Sequence, residues 1–255
     1  MKPILHLFWK LIIVFAICCS GCSKKSDTTS PSGTNDYKSP ALAKDTLIII
    51  PDQMRTKSAT DANLYMGVLE IDLVNTFTSG LSGAFIYDQS SVDGWISSKN
   101  SDGSTSFSWN YMQYTVKLTY YKSTGESWWK YEEDSASFSY PLYYIDDKGT
   151  SGETDWYGQE YFKSKPLLVY KDVWSKTADT KNSTFSWYGS DGTTVTSQYV
   201  STSKTDKSGT LKTYGQNNDT GPLVLQWSYV WDKNGAGSYI EYKPDGTTIN
   251  LQGTF

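Results

Sequence analysis

Asp61–Phe77 reads DANLYMGVLEIDLVNTF, and the way this stretch is read decides the fold. It is long, contains no proline, and opens at Asp61 just after Ser58 and Thr60, all residue types that cap helices. At about 100° per residue, Ala62, Tyr65, Met66, Leu69, Leu73 and Phe77 share one face, while Leu64, Val68, Ile71 and Val74 fall on another. Narrow polar seams at Asn63/Glu70 and Asp72/Asn75 are all that separates them. The pattern predicts a helix, and a helix apolar on most sides must be wrapped by other elements. The competing reading is two strands meeting near Gly67, with Leu69, Ile71 and Leu73 alternating.

Working outward, Thr46–Ile50 is a β-branched run stopped by Pro51, a first strand or an extended lead-in. From Ser82 onward the pattern is β throughout. Segments rich in Thr, Val, Tyr, Phe and Trp are punctuated by turn signals at Asp102-Gly103, Asp191-Gly192 and Asp245-Gly246. Strands are expected near Ala84–Tyr87, Gly94–Ser97, Ser104–Asn110, Gln113–Tyr121, Ser127–Glu133, Ser137–Ile145, Leu167–Val173 and Thr184–Tyr188. Five more are expected at Thr193–Val200, Thr210–Tyr214, Leu223–Trp231, Ser238–Lys243 and Thr247–Gln252. Short connections make neighbours antiparallel. The expected fold is mainly β, a large antiparallel up-and-down meander, strongly curved or barrel-like, wrapped around one N-terminal helix. Phe107-Ser108-Trp109, Phe185-Ser186-Trp187 and Leu225-Gln226-Trp227 look alike but are unevenly spaced, which argues against a solenoid. The aromatic-x-aromatic strands and glycine turns of Gly237–Phe255 weakly resemble lipocalin-like barrels and secreted lipoprotein domains.

At the N-terminus, Lys2 and Lys10 flank an apolar run, Leu11–Cys22, reading LIIVFAICCSGC. It falls short of the roughly 20 apolar residues a permanent span needs, so it reads as a signal peptide. Cys19-Ser20-Gly21-Cys22 resembles the lipobox of bacterial lipoproteins, with Cys19 where Leu is usual. The resemblance implies that Cys22 becomes the acylated first residue and, with Ser23 rather than Asp following it, that the protein goes to the outer membrane. More than one acyl chain is needed for stable attachment, which a triacylated Cys provides. Ser23–Ala43 is rich in Ser, Thr, Pro and charge, and so poor in apolar side chains that it reads as a flexible tether. The expected organisation is a signal at 1–21, lipidated Cys and tether at 22–45, and a single mainly-β domain at 46–255.

A pI near 5.1, a formal charge of −4 and a lone arginine, Arg55, argue against a phosphate-binding groove, so nucleic acid is not an expected partner. If the leader is cleaved as the lipobox implies, His6, Cys18 and Cys19 leave with it and Cys22 is blocked. The mature domain then has neither imidazole nor free thiol. That removes disulfides, Ser-His and Cys-His nucleophile pairs, and His- or Cys-ligated metals. No cofactor is expected, and the surviving chemistries use paired carboxylates, Tyr, Lys, or calcium on oxygen ligands.

Three candidates follow. Glu70-Ile71-Asp72 resembles the start of the E-x-D-x-E or E-x-D-x-x-E signature of laminarinase-type glycoside hydrolases, but Val74 and Asn75 occupy the two possible positions of the third carboxylate. Asp146–Asp155 packs four carboxylates into a glycine-bearing loop, which reads as a solvated hairpin tip more readily than a calcium site because Lys148 sits in it. The third is aromatic. The chain has ten Trp and twenty Tyr, more than half of which a disulfide-free β-core would absorb. Trp128, Trp129, Trp156, Tyr157, Tyr161, Trp187 and Tyr188 stand in or beside expected loops, where flat rings could stack on sugars beside Glu132 and Glu133. The expected function is a lipid-anchored envelope protein that binds a glycan or envelope component without transforming it. The alternatives are a lipocalin-like carrier of an apolar ligand and a carboxylate-based glycoside hydrolase.

Overall fold

The computed structural model describes residues 48–85, 96–111, 114–135, 138–158, 167–218 and 221–255. The segments expected to form the signal and the tether, with Cys22 between them, lie outside the described residues. Among the described residues, two helices, α1 (Asp52–Ser58) and α2 (Ala62–Phe85), precede thirteen strands. These are β1 (Ile96–Lys99), β2 (Thr105–Tyr111), β3 (Tyr114–Ser123), β4 (Glu126–Ser135), β5 (Phe138–Asp147), β6 (Ser151–Gly158) and β7 (Leu167–Lys176). The run continues with β8 (Thr180–Tyr188), β9 (Val195–Lys204), β10 (Gly209–Gln216), β11 (Leu223–Trp231), β12 (Gly237–Tyr242) and β13 (Ile249–Thr254). Strand order in the sheet follows chain order from β1 to β13, every pairing being antiparallel. The result is the expected up-and-down meander. It does not close into a barrel, since β1 and β13 are not neighbours in the sheet.

Turn chemistry sets this order. Asp102 and Asp206 each accept the N–H and the hydroxyl of the serine two residues on, Ser104 and Ser208, at 2.6–2.9 Å. Asp191 and Asp245 each accept two backbone N–H groups and a threonine hydroxyl. The next residue takes positive φ, a glycine at 103, 192 and 246 but Lys207 (φ 74°) in the fourth turn.

The helix at Asp61–Phe77 is the reading that holds, and the two-strand alternative is overturned. Asp61 caps α2 through Oδ1, accepting from the N–H of Asn63 (2.9 Å) and Leu64 (3.0 Å). The helix also runs on to Phe85, so no strand begins at Ala84. Of its two apolar faces, Leu64, Val68, Ile71 and Val74 are buried with Phe77, while Tyr65 and Leu69 are exposed. α2 is therefore covered on one side among the described residues, not wrapped all round. That side lies across a wall of aromatic side chains on one face of the sheet, called here the inner face: Tyr170, Phe185, Trp187, Tyr199, Tyr229 and Tyr239, each 7% exposed or less.

Contacts fix the crossing from end to end. Near the start of α2, Asn63 donates to the Tyr239 hydroxyl (3.4 Å), and Tyr229 donates to the Asn63 carbonyl (3.3 Å). Further along, Phe77 meets Trp187 edge-on at 4.7 Å and Tyr170 at 5.9 Å. Thr78 then donates to Asp172 (3.4 Å), whose other oxygen accepts from Ser183 (2.5 Å). The helix thus passes from β12 over β11 to β8 and β7, bridging strands far apart in sequence. The lead-in before α1 is pinned by Asn75, which exchanges two hydrogen bonds with the backbone of Ile48 at 2.8 and 2.9 Å. α1 itself, which the sequence reading did not place, buries Met54 completely.

Candidate functional site

Because successive strand residues point to opposite faces, the strands that supply the aromatic wall also present a second row on the outer face. Across β4, β5, β6 and β7 the register sets Trp128 opposite Asp146, Asp146 opposite Glu153, Tyr144 opposite Asp155, and Asp155 opposite Lys171. These side chains share the face that α2 does not cover. Lys171 is the hub: its ammonium lies 2.9 Å from Glu153 and 3.3 Å from Asp155. The Tyr157 hydroxyl donates to the other oxygen of Asp155 at 3.4 Å. Burial raises the Asp155 pKa, and Lys171 opposes that shift. Tyr188 stands near enough to feel both Lys171 and Asp155, and burial pushes its phenol up. Tyr144 is raised by burial and then by Asp146, Glu153 and Asp155.

At the other end of the row, Trp128 stacks on Tyr121, its cross-strand partner, with ring centroids 5.7 Å apart and planes 17° from parallel. Lys148 closes on Asp146 at 2.8 Å, and Lys130 on Glu132 at 2.6 Å. The outer face of β3–β8 is thus a band of rings and paired charges. Nearby, a shallow open depression of about 190 Å³ lies between the β3–β4 and β5–β6 hairpin tips, lined by Lys122, Ser123, Gly125, Glu126, Asp147 and Gly149.

The aromatic residues singled out from the sequence divide between the faces. Tyr157 and Tyr188 join the Lys171 cluster, and Trp128 belongs to the same face. Trp187 does not: it is 2% exposed and packs against Phe77, Tyr170 and Phe185, so it belongs to the core and not to a ligand. Trp156 is half-buried against the core with its ring 5.7 Å from Tyr170, which corrects its placement in a ligand-lining loop. Trp187 lies on a strand that begins four residues before the expected Thr184 and Trp156 on one the sequence reading did not place, and alternation turns both inward. The Trp129 side chain and Tyr161 lie outside the described residues.

Asp146–Asp155 is the β5–β6 hairpin. Gly149 (φ 78°) takes its turn, and its N–H is accepted by Asp147 at 2.7 Å. No group of three metal-ligating side chains comes together among the described residues. Glu70 and Asp72 sit on a helix, so the strand alternation of the hydrolase signature is lost; Asp72 accepts both guanidinium nitrogens of Arg55 at 2.6 and 2.8 Å. Among the described residues, α2 lies along the inner face and the sheet stays open, so the closed barrel interior that the apolar-carrier alternative calls for is not formed there. Phe255 stacks on Tyr239 at 6.4 Å.

The sequence reading missed Glu153, Asp155 and Lys171 as a unit because it took 146–155 for a tip. A signal was present: in Glu153-Thr154-Asp155-Trp156-Tyr157, charged or phenolic residues alternate with a buried Thr and a core-packed Trp. Comparison with protein-family models and with curated proteins finds no match to this chain. Fold and site define a class only: an open β-meander with a helix across one face and a ring-and-carboxylate band on the other.

Proposed function

We propose that this protein is a lipid-anchored component of the cell envelope, tethered through Cys22 at the outer membrane, that binds a glycan on the outer face of β3–β8. The observation that carries the reading is the Glu153–Lys171–Asp155 cluster flanked by Tyr157 and Tyr188 on a face that no helix covers among the described residues. Keeping a carboxylate that is 6% exposed at such a surface is costly unless it is paired. Flat rings beside fixed hydrogen-bond acceptors and an ammonium are the chemistry that stacks on a pyranose and orients its hydroxyls. The Trp128–Tyr121 stack extends that platform along the strands.

Binding is favoured over hydrolysis by the position of Lys171. Its ammonium occupies the space between the two carboxylates and holds both in ion pairs, where a glycosidase needs one free nucleophile and one protonated acid.

Calorimetric titration of the protein with envelope and other polysaccharides tests the reading. Binding that weakens at least tenfold in Trp128→Ala, Tyr188→Ala and Lys171→Met supports it; binding to none of them, or binding indifferent to all three substitutions, ends it. The anchor is tested separately. Cys22→Ser should move the protein from the membrane to the soluble fraction, and retention on the membrane would overturn that part.

A further inference from the structure

Glu70 stands one turn beyond Gly67 on α2, in the part of the helix that crosses β11 and β9. The side chain is half-buried as a whole, yet its Oε2 is closed off from solvent and meets no hydrogen-bond donor. Two phenols of the wall, Tyr199 on β9 and Tyr229 on β11, lie near enough to feel its charge, and both are pushed up by burial first and by the Glu70 charge second. Other ionisable groups at this end of the interface are acidic or phenolic as well: Asp61 on the helix cap, and Tyr239 and Glu241 on β12, all of which bear on Tyr229. Among the described residues no cation acts on Glu70. Asp172, the other carboxylate beneath α2, is different, because Ser183, Thr78 and the charge of Lys181 all compensate it.

A carboxylate oxygen closed off from solvent without a donor makes the ionised form costly to hold in such a place. We propose that α2 is docked as a proton-dependent strut: the docked helix carries Glu70 protonated, and ionisation of Glu70 loosens the middle turns of α2 from the Tyr199–Tyr229 wall. Desolvation raises the Glu70 pKa from 4.5 to about 8, so the docked state weakens as pH climbs through this interval and levels off above it. Linkage converts this into a weakening of the docked state by about tenfold between pH 7 and 9, with no further change well above that range. The wall so uncovered is a continuous aromatic surface, so the device links external pH to exposure of a sticky face.

Amide hydrogen exchange of the full chain between pH 6.5 and 9.5, corrected for base catalysis of exchange itself, reads the opening of residues 64–74 directly. In the wild type the opening constant of this segment should rise about tenfold from pH 7 to 9, while β8 and β9 stay protected. Glu70→Gln, which keeps the shape and removes the charge, should abolish the rise. A flat wild-type profile, or an equal rise in Glu70→Gln, overturns the proposal. Carboxyl ¹³C NMR of the wild type keeps it falsifiable should the variant misfold: one glutamate must titrate with a midpoint near 8, and a full set titrating in the ordinary range refutes it.

Discussion

The Cα of Gly67 rests against the ring of Tyr229: a methyl group added there would come within 2.5 Å of Cε1 and 2.7 Å of Cζ. A glycine inside a helix costs about 1 kcal/mol relative to alanine, so its place in α2 is bought by this close approach. Gly67→Ala should gain that propensity and lose about 1–3 kcal/mol to overpacking, a net destabilisation. In a Tyr229→Ala background the clash disappears, and the same substitution should become stabilising by about 1 kcal/mol. Urea denaturation of the four proteins of this cycle checks the change of sign, and destabilisation in both backgrounds would contradict it.

Lys207 takes the position that glycine occupies in the equivalent turns. Asp206-Lys207-Ser208 repeats the hydrogen bonds of Asp102-Gly103-Ser104, with φ of 74° at Lys207 and 85° at Gly103. The Trp231 indole donates to the Lys207 carbonyl at 2.9 Å, a contact with the backbone that glycine preserves. Lys207→Gly should therefore raise stability by about 1 kcal/mol, the left-handed cost of a side chain less the flexibility gained by the unfolded chain. Thermal melting reads this as a rise of a few degrees; a fall would show that the lysine side chain itself matters.

Lys171 compensates two carboxylates, one of them 6% exposed. Its removal in Lys171→Met leaves Asp155 with the Tyr157 hydroxyl alone and should cost about 1–3 kcal/mol. Asp155→Asn added to that variant removes the stranded charge and should recover part of the loss. Denaturant midpoints of the wild type, the single and the double variants decide it, and a double variant less stable than Lys171→Met by the full cost of a second lesion would count against the pairing.

Stability should be greatest on the mildly acid side of neutrality. Glu70, raised from 4.5 to about 8 by burial, binds its proton more tightly in the folded state. Its contribution is complete below the unfolded pKa and is lost as pH climbs through the folded one. Asp172 and Asp155, also raised by burial, act in the same direction. Asp191 and Asp245 act in the opposite one: hydrogen bonds from threonine hydroxyls and backbone N–H groups hold them below the usual carboxylate range. Their contribution is present above the ordinary aspartate pKa and is lost as pH falls through the folded value. A melting profile from pH 3 to 10 should peak at about pH 4–5, and Glu70→Gln should flatten its alkaline limb. A maximum above pH 8 in the wild type would refute the assignment.

The features legible in the chain were those set by near neighbours. Asp-Gly turns followed by Ser or Thr define hairpins because the aspartate bonds the two or three residues after it. The Asp61 cap and the unbroken apolar run do the same for α2. Ser151–Gly158 escaped because its glycines and carboxylates read as a tip; cross-strand pairing with β5 and β7 makes it a strand, and that pairing is not local.

By itself, the sequence determined a β-meander with one long helix near its start, since strand alternation, turn residues and helix period are all written within a few positions of one another. Only the tertiary structure decided which side of everything is inside. α2 has two apolar faces, and burial chose Leu64, Val68, Ile71 and Val74 over Tyr65 and Leu69 because Gly67 lets that side approach Tyr229. The same choice sent Trp187 inward and left Tyr188 to the Lys171 cluster. Alternation supplies two faces of equal standing, and the wall against which one of them packs is assembled from strands far apart in the chain.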